Sequence, residues 1–461
     1  MTPTPHRNHP VGVGRLLAMA LGIACACAAQ AAAPPQVHPT QRASFVVILL
    51  RHGVRAPTQT PQALERYAAQ PWPHASTPPG DLTAHGARVL TQQGRYYSRW
   101  LEHNGIRVNG CGADASWQVI TDSDQRTIAS GTALQAGMAP SCSAPVTSLR
   151  QGDPDPLFDP VAADRVHPRG TDARAALLGR IGEDPALAMQ RLQTDAQVLE
   201  QVLFDCSDTA CRAQQAMRGK HPFMLARPEV VATHDGMAKL KGPLALASML
   251  AGNILLQYED GVPLADVGWG RASTPQALDA LFALHQAASD LVKRTPYLAA
   301  ARSGNLLAWI GAALAAHAGR VAPPPPANTP AHVVFLVGHD TNLANVQALL
   351  GLRWHIPGQP DPYAPGAALV FSLSAGGAGV PQIRVLALAP TLRALRDGTV
   401  AIDHGMRAVP VFVPGCSSAL PGYPSALPCL LERIREAVPQ GFIEPAPWSR
   451  LTPSTISLDR H

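Results

Sequence analysis

Charge is scarce in this sequence. Charged side chains make up 15% of its 461 residues, 37 basic against 32 acidic, and no dense block of lysine or arginine occurs. That excludes the extended basic face a nucleic-acid ligand requires, so any basic function must be local. Past the N-terminal region no apolar run reads as long enough for a membrane helix. Paired CxxC and HExxH clusters are missing, which leaves zinc without its usual ligand spacing. A Walker sequence, a paired-metal carboxylate set and an aspartate-nucleophile motif are missing too. What the chain does have is apolar substance: at 46% hydrophobic residues it can bury a large core. This rules out a disordered chain and a disulfide-stapled miniprotein, and the length suits two domains.

The N-terminus reads as a targeting segment. Arg7 and Arg15 precede an uncharged run over 16–29, too short to span a bilayer comfortably, and Ala29-Gln30-Ala31 suits signal-peptidase cleavage. A lipid anchor on Cys25 is the competing reading, but Gly22-Ile23-Ala24 lacks the usual leucine before it. Removal of 1–31 takes away two arginines and no acid, so the formal charge falls from +5 to +3, and it removes Cys25 and Cys27 from the eight cysteines. The six that remain, behind an export signal, favour disulfides over metal ligation, because an oxidising compartment keeps them closed. Fifteen pairings are open; the most local is Cys111 with Cys142, Cys206 with Cys211 and Cys416 with Cys429.

Three short apolar runs, 45–50, 117–121 and 333–337, each end abruptly in polar residues followed by a helical pattern. Runs apolar on both faces read as strands buried inside a parallel sheet. In open α/β sheets the ligand crevice lies beyond the carboxyl ends of such strands, so the three polar clusters should meet there. Helical spacing fills 83–104 and follows Asp340 with Leu343, Val346, Leu349 and Leu350, stopping at Gly351. Beyond Pro365, the runs 367–373 and 382–389 flank 375–379 (AGGAG) as a hairpin completing the sheet. The middle of the chain carries helical stretches at 186–202 and 243–258 without comparable strands. Pro323 to Pro326 read as a stiff connector. The fold class expected is therefore α/β, a mostly parallel sheet flanked by helices, built from 43–160 and 290–461, with a smaller inserted α-helical domain over 161–289.

At the first strand end, Arg51-His52-Gly53-Val54-Arg55 sets two guanidinium groups around one imidazole, with Gly53 letting the backbone turn closely. The planar guanidinium fork suits the tetrahedral oxygens of phosphate and keeps its charge. The second cluster carries Arg126, which could equally pair with Asp122 or Asp124. The third is His339-Asp340, where an aspartate capping the following helix is the plain alternative. Together these residues supply a nitrogen nucleophile, cationic donors for the equatorial oxygens and an acid for a departing alkoxide, with no metal or cofactor required.

On these residues the sequence resembles the histidine acid phosphatase family, in its exported bacterial branch of phytases and glucose-1-phosphatases. RHGVRAPT at 51–58 and GHDTNLANV at 338–346 carry the resemblance. LTAHGARVL (82–90), TDSDQRT (121–127), DPDPLFDP (153–160), LKGPLALASML (240–250), VGWGR (267–271) and PGQPDPYAPGAALVF (357–371) follow in the family's order. The resemblance implies that His52 is the nucleophile that becomes a phosphohistidine and that Asp340 protonates the leaving oxygen. It makes Arg51, Arg55, Arg126 and His339 the phosphate clamp. It implies an α/β domain with a helical domain inserted, substrate between the two, and water splitting the phosphohistidine.

Two chemical expectations follow. His52 must present an unprotonated nitrogen, helped by the arginines, while Asp340 must hold a proton despite them, so activity should peak in acid and free phosphate should inhibit. Departures from the family pattern bear on substrate. Gln59 stands where these phytases often have a lysine, 251–253 lacks an acid common there, and 256–261 (LQYEDG) leans toward glucose-1-phosphatase. Thr58 and the HDTN form at 339–342 lean toward phytase, and His285 matches a pocket-lining histidine, though a lone histidine on a helix is as often structural. The expected substrates are small-molecule phosphate esters, phytate (inositol hexakisphosphate) first and sugar phosphates, as for a glucose-1-phosphatase, second. Thr58, Gln59 and His285 are the candidate substrate contacts. The expected state is a periplasmic or secreted monomer, off the membrane once the signal is cut. A protein that binds phosphate esters without turning them over is the alternative from another class, and a phosphohistidine mutase fits an exported chain poorly.

Overall fold

The computed structural model describes residues 42–443 apart from 74–75, 207, 320–330, 377–378 and 401–403. The signal segment and the Pro323 to Pro326 connector lie outside the described residues, as does the tip of the 375–379 turn. In chain order the described elements begin with β1 (Ala43–Arg51), α1 (Pro61–Glu65), α2 (Ala84–His103), β2 (Trp117–Thr121) and α3 (Gln125–Met138). Then come α4 (Gly170–Ile181), α5 (Leu187–Gln190), α6 (Gln193–Phe204), α7 (Thr209–Met217), β3 (Glu229–Ala232), β4 (Ala238–Lys241), α8 (Pro243–Glu259) and α9 (Pro275–Lys293). The last part holds α10 (Pro296–His317), β5 (Val333–Gly338), α11 (Asp340–Leu350), β6 (Ala368–Ser374), β7 (Gln382–Pro390), α12 (Leu392–Asp397), β8 (Met406–Val411), β9 (Ser425–Ala426) and α13 (Leu427–Ala437).

The main sheet runs β2-β5-β1-β6-β7-β8, with β9 on β7. Pairing is parallel in β2-β5 and β5-β1 and antiparallel from β6 onward. The sheet is thus mixed: parallel order holds for the three strands that end in polar clusters. The remainder is antiparallel because β6 and β7 are joined by a short turn, which can connect only antiparallel neighbours. Register fixes the level of the site, since Arg51 lies opposite Gly338 and Thr121 opposite Val337. All three clusters leave the sheet at one edge.

Side chains alternate across β1. Phe45, Val47 and Leu49 join a core with α10, α11 and α13, while Val46, Ile48 and Leu50 face α2 and α3. All six are fully buried, each contributing about 1.5–3 kcal/mol relative to exposure. The α2–α3 crossing depends on glycine: a Cβ on Gly137 would lie 1.8 Å from the Thr91 carbonyl oxygen, and one on Gly94 2.1 Å from that of Leu134. This close approach clamps the C-terminal half of α3, the helix that opens with Arg126 as its second residue, against α2. By length and composition α10 could cross a membrane, contrary to the sequence reading, but 83% of its apolar window is buried inside the protein, where it serves as a core helix.

A separate apolar cluster gathers Leu177, Leu199, Leu203, Leu250, Ile254 and Leu281 from α4, α6, α8 and α9, with Leu64 and Trp72 from the segment after β1. This helical part also contains an antiparallel hairpin, β3 with β4, which the sequence reading did not anticipate. The helical stretch expected over 186–202 is interrupted between α5 and α6.

Disulfides join Cys111 to Cys142, Cys206 to Cys211 and Cys416 to Cys429, with Cα–Cα distances of 5.4, 5.6 and 5.6 Å. The first closes a separation of 31 residues around β2 and α3. Replacing both its cysteines by serine is expected to cost about 3–4 kcal/mol by chain entropy. A denaturant titration that finds no loss would show that the unfolded chain is not constrained by this bridge.

Candidate active site

The backbone of β1 continues its ladder one residue past the strand: the His52 N–H donates to the Gly338 carbonyl at 2.9 Å. Gly53 then turns against α2, where a Cβ would meet Leu90 at 2.8 Å and Leu82 at 3.0 Å, and its N–H donates to Ser130 Oγ at 3.0 Å. His52 is thereby fixed at the sheet edge, 3% exposed. Its Nδ1 lies 2.8 Å from the Gly53 carbonyl oxygen. A carbonyl only accepts, so Nδ1 carries the hydrogen and Nε2 keeps its lone pair. Burial holds the ring well below the ordinary histidine range, and the charges of Arg51, His339, Arg126 and Arg55 add to this.

Three guanidinium groups surround that imidazole. Arg51 donates to the Tyr363 carbonyl and sits 3.4 Å from Asp361 Oδ2. Arg126 pairs with Asp124 at 2.5 Å, so the plain pairing expected from sequence is present, and it also reaches His339 Nδ1 at 3.5 Å. Arg55 donates to the Ala56 carbonyl at 2.8 Å; burial and repulsion from Arg51 and Arg126 lower it to about 10. The Nε–H groups of Arg51 and Arg126 are buried and find no hydrogen-bond partner among the described residues. Mutually repelling buried cations with unspent donors favour an anion.

From the third cluster, His339 is the N-cap of α11 and Asp340 its first residue, so the capping role expected of Asp340 belongs to His339, whose N–H is held by Asn342 Oδ1 at 2.9 Å. His339 Nε2 is 2.5 Å from Asp122 Oδ2 and donates to it. The ring centroids of His52 and His339 are 5.5 Å apart at 71°. Asp122, Asp124 and His339 present ligand-type atoms within 4.8 Å of one another, but the positive charge there is the Arg126 guanidinium.

Asp340 departs from expectation. Burial alone would raise its carboxyl, yet Lys293 and Arg51 outweigh burial and hold it well below the usual carboxylate range. Lys293 Nζ donates to Asp340 Oδ2 at 2.7 Å. In the free protein Asp340 is therefore an ion-paired anion rather than a held acid. The reason is a residue the motifs do not contain.

An open cleft of about 200 Å³ begins at this cluster and is walled by α8 and α9. Arg51, Arg55 and Asp340 line its floor, and Thr58, Gln59 and His285 line its sides. Gln59 Oε1 accepts from Asn253 Nδ2 at 3.0 Å, tying the loop after β1 to α8. Gly252 lets His285 close in, since a Cβ there would lie 3.0 Å from its Nδ1. Burial lowers the His285 ring below its ordinary value, the pull of Asp361 opposing. Glu259 is buried in the wall, and burial pushes it up to about 8 with Arg51 drawing it back.

Six of the nine candidate residues, Arg51, Arg55, Thr58, Gln59, His285 and Asp340, line this cleft, and His52, Arg126 and His339 stand together beside Arg51 and Arg55. Sequence reasoning missed Lys293, Asp361, Glu259 and the partnership of Asp122 with His339. One signal for Lys293 was present: it follows His285 by two helical turns, on the same side of α9.

A family model described as "Histidine phosphatase superfamily (branch 2)" matches residues 44–375. The chain belongs to that superfamily. This histidine phosphatase is 33% identical over 390 residues to phytase AppA of Escherichia coli strain K12, covering 83% of this chain and 88% of that one. It is 28% identical over 363 residues to a glucose-1-phosphatase of Salmonella typhimurium strain LT2, covering 77% and 82%. Among solved structures, Hafnia alvei phytase in complex with tartrate superposes with a TM-score of 0.80 at 31% identity, covering 88% of this phosphatase and 99% of that chain. The same phytase in complex with myo-inositol hexakis sulphate gives 0.79 at 31% identity, with the same coverage.

Proposed function

We propose that this histidine phosphatase is an exported, monomeric acid phosphomonoesterase that hydrolyses small-molecule phosphate esters through a phosphohistidine on His52, without metal or cofactor and without a nucleic-acid or membrane partner. The observation that carries the mechanism is the Nδ1–H bond to the Gly53 carbonyl, which leaves Nε2 of a buried, neutral ring directed to act as nucleophile. Arg51, Arg55 and Arg126 hold the phosphoryl oxygens, with His339 braced beside them between Asp122 and the Arg126 guanidinium. Nε2 attacks phosphorus, the ester P–O bond breaks, and the departing oxygen takes a proton from Asp340. Water then attacks the phosphohistidine, giving its proton to the Asp340 carboxylate; the P–N bond breaks and inorganic phosphate leaves.

Asp340 begins as an anion, so its proton arrives with the substrate. Below about pH 6 a phosphate monoester is a monoanion that still carries one acidic hydrogen. Docked among three guanidiniums it is driven to the dianion, and the released proton passes to Asp340. This keeps the expected preference for acid while moving its source from the enzyme to the ester. Export is supported by three disulfides in the chain and by the leader-like segment at 1–31. The domain division at 161–289 is supported by the separate helical core.

Phytate is the leading substrate, supported by phytase relatives at 31–33% identity. A specific observation favours sugar phosphates as the second reading: beyond Arg51 and Arg55 the lining residues include no lysine or arginine, and Gln59 and Asn253 form a neutral wall. Phosphate release from phytate, glucose 1-phosphate and p-nitrophenyl phosphate at acid pH separates the two. A higher kcat/KM on phytate than on glucose 1-phosphate is expected, and the reverse order would establish the sugar phosphatase. Binding of phosphate with no release from any ester would leave only a binding protein.

A further inference from the structure

We propose that Lys293 is the positioning residue of the proton donor: its ammonium holds Asp340 and so sets the pH range over which the substrate complex keeps the proton that the ester brings to it. This rests on the reading of Asp340 as general acid. Two helix ends make the pair. Lys293 closes α9, where the carbonyl end favours a cation, and Asp340 opens α11, where the amide end favours an anion. The contact is direct at 2.7 Å, with side chains 22% and 21% exposed, so it is only partly screened by water. The other oxygen, Oδ1, accepts from Thr341 Oγ1 at 3.4 Å.

The remaining charges around Asp340 are engaged elsewhere. Arg51, at the end of β1, is held by Tyr363 and Asp361 from the loop before β6. Arg55 bonds the Ala56 carbonyl, and His285, on α9, is against Ser248. Arg294, next to Lys293, pairs with Asp290. On the other side of α11, α10 offers Ser303 to Asn342 while its Arg302 is taken by Asp159. The charges of α13 pair among themselves, Arg433 with Glu436 and Arg435 with Glu432. His339 is bound to Asp122. Among the described residues, Lys293 is the cation in hydrogen-bond contact with the Asp340 carboxylate.

Removing a cation from beside a carboxylate raises its pKa, so the protonated donor should persist to higher pH. In Lys293→Gln the alkaline limb of kcat, which reports the proton held in the substrate complex, is expected to move up by about one pH unit. Above the wild-type limb, turnover of an alkyl phosphate should rise roughly tenfold, since one pH unit is a factor of ten in the protonated fraction. Turnover of p-nitrophenyl phosphate, whose leaving group needs little protonation, should change little. Lys293→Arg should return the limb to its wild-type position. An unmoved limb in Lys293→Gln, or equal changes for both esters, overturns the proposal. If the Gln variant fails to fold, the native enzyme supplies the test by difference infrared titration against Asp340→Asn. A carboxyl band titrating below the ordinary aspartate range supports the assignment, and one at the ordinary value rejects it. Failure of the underlying reading looks different: wild-type enzyme would release no phosphate, or His52→Ala would keep full activity.

Discussion

Alanine at position 52 is expected to abolish turnover while sparing phosphate binding. The substitution removes the Nε2 lone pair but leaves Arg51, Arg55 and Arg126 in place, each anchored by contacts that do not involve the imidazole. Loss of a covalent nucleophile costs roughly four or more orders of magnitude in kcat. Quenching a reaction with labelled ester should trap phosphate on the wild-type protein and none on His52→Ala. The dissociation constant for inorganic phosphate, read by direct binding to the variant and the wild type, should remain within a few-fold. Labelling that persists in the variant would place the nucleophile elsewhere. Activity without any trappable label would point to direct attack by water instead. Because burial and four neighbouring positive or protonatable groups keep the ring neutral, the acid limb of the wild-type profile should fall well below the ordinary histidine range.

Asp340→Asn is the second large effect, and its signature is selectivity. Asparagine keeps the shape and the first position of α11 but cannot deliver a proton. Alkyl phosphates, whose leaving oxygen must be protonated, should slow by about 10²–10⁴, the usual worth of general acid catalysis. p-Nitrophenyl phosphate, with a far better leaving group, should slow much less. Comparing kcat on the two esters checks this directly. Equal slowing of both would reassign Asp340 to phosphate binding or to water activation alone.

What could be read from the sequence divides along a physical line. The three strands bearing the site were legible because each is a short run buried on both faces that stops abruptly in polar residues, although β2 closes the sheet at one side while β5 and β1 lie inside it. α2 was bounded by its own chemistry, with Thr83 as N-cap and Asn104 as C-cap. The β3–β4 hairpin was not legible, because EVVA buries only Val230 and AKLK alternates over just four residues, too short for a pattern to declare itself. α10 concealed its setting for the opposite reason: uniform apolarity fits a lipid environment and a protein core equally. At the site, the identities of His52 and Asp340 followed from motif and strand end, but the protonation of Asp340 did not. That depends on Lys293, which sequence order separates from it and which only the packing of α9 against α11 delivers.

The position of β5 in the sheet has one more consequence. It lies between β1 and β2, and the peptide that steadies His52 belongs to Gly338 at its end. A polypeptide that stops short of that strand leaves both neighbours with open edges and the first imidazole without the second. The two imidazoles can therefore meet only after the last third of the chain has been made and β5 has entered the gap between its neighbours.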